Sequence, residues 1–194
     1  FELGTAEGGR KIFLMGMNYL SECMDSREAL NTYYLKTIHH EFTHILHQTV
    51  EFSTAYQFIT TDYKVDKCFN SEFADFLSRG FITDYAQKNY HEDFAEMVST
   101  YVTSTADEWE ALLKKASYAP VKDKDGNLVY DSNGLVVADT KTKANGRDLI
   151  EQKLSIVRSY MQDQWGIDID ELRASILQRE NDVVNGKVDL KSLD

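Results

Sequence analysis

His39-His40-Glu41-Phe42-Thr43-His44-Ile45-Leu46-His47-Gln48 is the stretch on which the reading of this chain turns. His40 and His44 are four residues apart, so on a helix their imidazoles leave one face a single turn apart and both can reach one metal ion. Glu41, between them, then stands beside the metal's open position as a general base for a bound water. A shuffled chain of this composition contains such a pentapeptide only about one time in a hundred, so it is read as a site and not as coincidence. The helix around it is expected from about residue 25 to 48, with Ile38, Phe42 and Ile45 as its apolar face and Tyr34, Leu35 and Leu46 flanking.

Two histidines leave a catalytic zinc short of one protein ligand. The metzincin solution needs a glycine three residues after His44 and a histidine three residues beyond that. It is excluded, because those positions hold His47 and Val50. A carboxylate from a following helix remains, and His91-Glu92-Asp93-Phe94-Ala95-Glu96 offers it. Glu92 and Glu96 again share a face at i and i+4, so one can bind zinc while the other accepts the outer N–H of a ligand histidine. The helix should run from Glu92 to about Thr103, with Phe94, Val98, Tyr101 and Val102 turned inward. Of the other histidines, His39 points about 100° away from His40 and reads as structural. His47 shares the face of His40 and reads as a structural flank, and His91 as a neighbour at the helix start.

The remainder fits a helix-rich α+β chain with minor strands, folded as one domain over residues 1–194. Lys11-Ile12-Phe13-Leu14-Met15 is expected as a buried strand after a Gly-rich opening, and residues 51–80 as short helices and loops. Between 119 and 146, turn clusters at Lys122–Gly126 and Asp131–Gly134 surround Leu128–Tyr130 and Leu135–Val137, a hairpin signal. The Asp-rich turns do not make a calcium loop, since the alternation breaks before the glycine and the twelfth position carries no Glu. From Asp148 to about Val184 two amphipathic helices are expected, broken at Gly166.

Composition sets the outer limits. The 194 residues carry 21 Lys and Arg against 32 Asp and Glu, a net charge of -11 that repels phosphate backbones and anionic lipid, so nucleic acid is not an expected partner. Two cysteines, Cys23 and Cys68, cannot form a disulfide scaffold or a cysteine zinc knuckle and are expected as buried or free thiols. The chain starts at Phe1 with no leader pattern, so any export signal or lipid anchor is expected upstream of it.

The pair His40-Glu41-Phe42-Thr43-His44 and Glu92-Asp93-Phe94-Ala95-Glu96 resembles the gluzincin clan of zinc metallopeptidases, and its general pattern is similar to that of the protease domain of anthrax lethal factor. More narrowly, residues 39–48, Tyr85-Ala86 and Glu92–Met97 resemble a group of zinc-binding metallopeptidases of Bacteroidetes known as substrate-import-associated zinc metallohydrolase lipoproteins. The resemblance implies a zincin-like catalytic domain with a short sheet and a hairpin insertion. It implies one zinc held by His40, His44 and Glu92, with Glu41 as catalytic base and Glu96 behind a ligand histidine, most simply His40. Tyr85, seven residues before Glu92, matches a tyrosine whose hydroxyl donates to the oxyanion of a tetrahedral intermediate, with Tyr90 as its local competitor. The implied reaction is peptide-bond hydrolysis by a zinc-activated water on a peptide or protein substrate. The implied location is the cell surface or the periplasmic side of the outer membrane, reached through an upstream lipid anchor, beside a nutrient-import complex. The rival expectation is a catalytically silent zinc-containing module of such a complex. An intact Glu41 speaks against it.

Overall fold

The computed structural model describes residues 3–188, and they divide into two compact units whose boundary falls inside two of the helices. Among the described residues no helix is long and apolar enough to cross a membrane. In chain order the elements are β1 (Gly4–Glu7), β2 (Lys11–Leu14), α1 (Arg27–Leu30), α2 (Lys36–Thr49), α3 (Tyr90–Thr103), α4 (Ala106–Ala116), β3 (Tyr118–Pro120), β4 (Ala138–Lys143), α5 (Gly146–Trp165) and α6 (Ile169–Val184). Short 3-10 turns fill residues 54–58, 71–73, 76–79 and 85–87. Helix with two small two-stranded sheets matches the expected helix-rich α+β class.

The first unit comprises the residues up to 52, 98–105 and those from 158 on. Its N-terminal hairpin pairs β1 with β2 antiparallel, Gly4 opposite Leu14, and lies along α2. Gly9 at the hairpin turn donates its N–H to Gln48 Oε1 in the last turn of α2, at 2.8 Å. β2 is not the buried strand expected from its composition. Phe13 is 47% exposed, because a two-stranded ribbon on one helix covers one face only.

Ser26 caps α1, its hydroxyl accepting from Ala29 N. The helix then widens into one π turn over Asn31–Leu35 before α2 continues the same path. The face it buries is not the Ile38–Phe42–Ile45 stripe. Phe42 is 45% exposed, and the buried positions are Leu30, Tyr34, His40, Glu41, Thr43, Leu46 and His47. Tertiary packing overrides the apolar stripe, and a polar face goes inward. Arg27 ties the start of this path to the far end of the chain, with Nε on Glu180 at 2.9 Å and Nη2 on the carbonyl of Thr103 at 3.0 Å. Tyr160 Oη donates to Val50 O at 2.6 Å, just past α2.

The second unit comprises residues 53–97 and 106–157. Its core gathers Tyr56, Phe81, Ile82, Phe94, Met97, Leu113, Ile150 and Val157. Buried with them is an ion pair, Lys153 Nζ to Asp93 Oδ2 at 2.6 Å, both side chains fully covered. Lys153 also donates to Gly80 O at 2.8 Å, and Tyr63 Oη donates to the same Asp93 oxygen at 3.0 Å. Gly146 opens α5 where a Cβ would stand 2.1 Å from Leu77 O and 2.6 Å from Ala116 O, so backbone approaches backbone and only glycine fits.

The insertion is more than one hairpin. β3 pairs with β4, and between them Val121, Val129 and Val137 are linked in a cycle of backbone hydrogen bonds of 2.8 to 3.1 Å. Asp123 and Asp131 each direct a carboxylate oxygen to turn amides two and four residues on, the usual use of Asp in a turn. α4 is absent from the sequence expectations. α5 and α6 match them, with the break at Gly166, whose φ of 65° suits glycine. Both cysteines are free, Cys68 buried and Cys23 half-buried.

Candidate functional site

In the first unit, α2 delivers the histidines. His40 Nε2 and His44 Nε2 lie 3.0 Å apart, with the rings edge to face at 79°. Two nitrogens sharing one zinc at about 2.0–2.1 Å with a tetrahedral angle stand about 3.3 Å apart, so the pair already has nearly the spacing of a shared ion. On the outer side, His44 Nδ1 lies 2.7 Å from His47 Nε2, a hydrogen bond whose proton either ring can carry. With the proton on Nδ1 of His44, its Nε2 keeps a lone pair for a metal. His47 packs edge-on against Phe52, which meets Tyr160 in turn, so the histidine line ends in aromatic core. His47, read from the sequence as a flank, therefore orients a ligand candidate. Its i+3 spacing from His44 was the available signal. Burial pushes the His39 imidazole down to about 4.

Glu41 is 7% exposed. β1 crosses directly over it: a Cβ on Gly4 would fall 2.7 Å from Glu41 Cγ, 2.9 Å from Thr37 Cγ2 and 3.1 Å from Glu41 Oε1. The strand backbone and the carboxylate side chain thus share one tight space.

In the second unit, a 3-10 turn and the start of α3 carry the other candidate residues. Asn89 caps α3, its Oδ1 accepting from the N–H groups of His91 and Glu92 at 3.0 Å each. Glu92 thereby sits in the first helical turn, where a carboxylate is favoured by the helix dipole. Tyr85 Oη donates to Glu92 Oε1 at 3.1 Å. Lys88 Nζ donates both to Tyr85 Oη at 2.7 Å and to Glu92 Oε1 at 3.1 Å, closing a triangle. Burial raises the Tyr85 phenol, while the Lys88 hydrogen bond works against that shift and Glu92 adds to it. The same bond to Tyr85, followed by that to Glu92, lifts the Lys88 ammonium above its usual range. Phe69 stacks on Tyr85, rings 5.7 Å apart and 15° from parallel. Lys88 escaped the sequence reading, although Glu92 lies four residues after it. Glu96 is buried one turn beyond Glu92, and the neighbouring Asp93 is the acid of the buried pair with Lys153.

Comparison with known proteins decides the family. The profile of Peptidase_Mx1, described as "putative zinc-binding metallo-peptidase", matches residues 2–170. The chain belongs to this family. Among solved structures, it is similar to a chain from Bacteroides caccae ATCC 43185 described as a "putative zinc-binding metallo-peptidase", at 32% identity and a TM-score of 0.72. All of the present chain is covered, but it spans only 63% of that protein. No curated protein matches. For a Peptidase_Mx1 member, the donor chemistry of these side chains is apt, since imidazole nitrogen and carboxylate oxygen are both zinc ligands.

Proposed function

We propose that this Peptidase_Mx1 chain is a zinc-dependent peptidase of the gluzincin type, a single zincin-like catalytic domain that hydrolyses peptide bonds. His40, His44 and Glu92 would hold one zinc ion per chain. The observation that carries the reading is the convergence of His40 Nε2 and His44 Nε2 at 3.0 Å, with buried Glu41 on the intervening residue. Zinc bound there supplies Lewis acidity, polarising a carbonyl oxygen and lowering the pKa of a water. Glu41 takes a proton from the water as its oxygen attacks the carbonyl carbon, then delivers it to the amine nitrogen as the C–N bond breaks. Tyr85 would turn its hydroxyl to the oxyanion as charge develops, and Glu96 would accept the outer N–H of His40. The substrate is a peptide or protein. Export to the cell surface through a lipid anchor, next to a nutrient-import complex, completes the proposal on the strength of the lipoprotein resemblance.

Glu41→Gln tests it, because the change is nearly isosteric and removes no zinc ligand. Zinc content should stay at one per chain in the variant and fall in His44→Ala, while turnover of a cleavable peptide library drops at least about 100-fold. Equal cleavage by wild type and Glu41→Gln, or no zinc in the wild type after loading, would sink the reading.

A further inference from the structure

We infer that Lys88 is a positioning residue of this hydrolytic centre, acting through Tyr85. The inference rests on the function proposed above, which gives Tyr85 and Glu92 their roles but none to Lys88. Lys88 lies three residues after Tyr85 and four before Glu92, so the end of the 3-10 turn and the first turn of α3 bring all three polar ends together. The ammonium touches the phenol oxygen at 2.7 Å and Glu92 Oε1 at 3.1 Å, and also lies 4.8 Å from the centre of the Tyr85 ring. Phe69 stacks on that ring, so the phenol is steered by a cation and an aromatic neighbour together.

This geometry acts in two ways. A cation donating to a phenol oxygen draws electron density from its O–H, which makes Tyr85 a stronger donor to a developing oxyanion. Moreover, Tyr85 and Lys88 donate to the same oxygen of Glu92. When the phenol proton turns from Glu92 to the oxyanion, Lys88 still donates to Oε1, so the carboxylate keeps this donor through the turn. Lys88 is 36% exposed at the side chain and Glu92 14%, so the pair is neither a loose surface ion pair nor core scaffolding.

The test compares Lys88→Met, Lys88→Arg and Tyr85→Phe, alone and combined, for peptide turnover and for zinc affinity by chelator competition. Lys88→Met should lower kcat about 10-fold with KM within about twofold, as befits a group whose effect appears only with developing charge. Lys88→Arg should recover most of kcat. In a Tyr85→Phe background, Lys88→Met should cause no further loss, because the two act as one unit. Zinc affinity of Lys88→Met should be unchanged or tighter, since an ammonium competing for Glu92 has been removed. Losses of kcat and zinc affinity in parallel would make Lys88 a mere prop of Glu92 and overturn the inference, as would additive losses in the double variant. Wild-type turnover in Lys88→Met overturns it alone. A wild type that binds zinc and cleaves nothing overturns the parent reading and this one with it.

Discussion

Gly4 is a glycine for reasons of space. Its φ is not in the left-handed region, so any residue could adopt the backbone, yet a Cβ would strike Glu41 and Thr37 at under 3.0 Å. Gly4→Ala should therefore displace the carboxylate that the proposed mechanism uses as its base. Misplacement by a fraction of an ångström to an ångström lowers turnover by about 10- to 100-fold, while zinc content should not change. Overpacking should cost about 1–3 kcal/mol in stability. Gly8→Ala is the control: its Cβ would meet nothing within 4 Å but its φ of 55° is strained, so it should lower the melting temperature slightly and leave kcat alone. Full activity in Gly4→Ala would show that Glu41 has room to spare. Residue chemistry of this kind was half legible in the sequence. The His40–Glu41–His44 spacing announced itself, whereas Gly4 and Glu41 are 37 positions apart and meet only because the hairpin lies along α2.

At the level of elements, α3 shows why some features could be read and others not. Its inward residues Phe94, Val98, Tyr101 and Val102 are all buried as expected, since an apolar stripe of helical period must be covered. Asp93 lies in the same first turn, and no local pattern marks it for burial. Its partner Lys153 lies 60 residues away on α5, and no local rule links them. Burial raises the Asp93 carboxyl and lowers the Lys153 ammonium, each shift resisted by the partner's charge. Lys153→Met should destabilise the chain by about 3–5 kcal/mol by leaving Asp93 buried without its counter-charge. The pair Lys153→Met with Asp93→Leu should recover much of that loss in thermal or urea unfolding. A double variant as unstable as the single would mean that the polar contacts of Asp93 with Tyr63, and not the ion pair, hold this end of α3.

For the molecule as a whole, a metal bound only by the folded chain adds to its stability by mass action. Zinc at a hundredfold excess over its dissociation constant should contribute about 2.7 kcal/mol, raising the melting temperature by roughly 5–10 °C for a chain of this size. A chelator should reverse the shift, and His44→Ala should melt at the same temperature with or without zinc. A zinc response surviving in His44→Ala would move the ion elsewhere. What the sequence determined by itself was local: the helix that carries the HExxH spacing, the second helix with its two glutamates, and the break at Gly166 between the last two helices. Each depends on residues within about four positions of one another, a range over which backbone geometry alone fixes who is neighbour to whom. Tertiary structure decided which faces became interior. Ile38, Phe42 and Ile45 promised the buried side of α2, and His40, Glu41 and His47 took it instead, while Phe13 stayed half in water. A polar face can be buried only where specific groups elsewhere in the chain satisfy it, and those groups are set by the fold, not by the period of the helix that carries them.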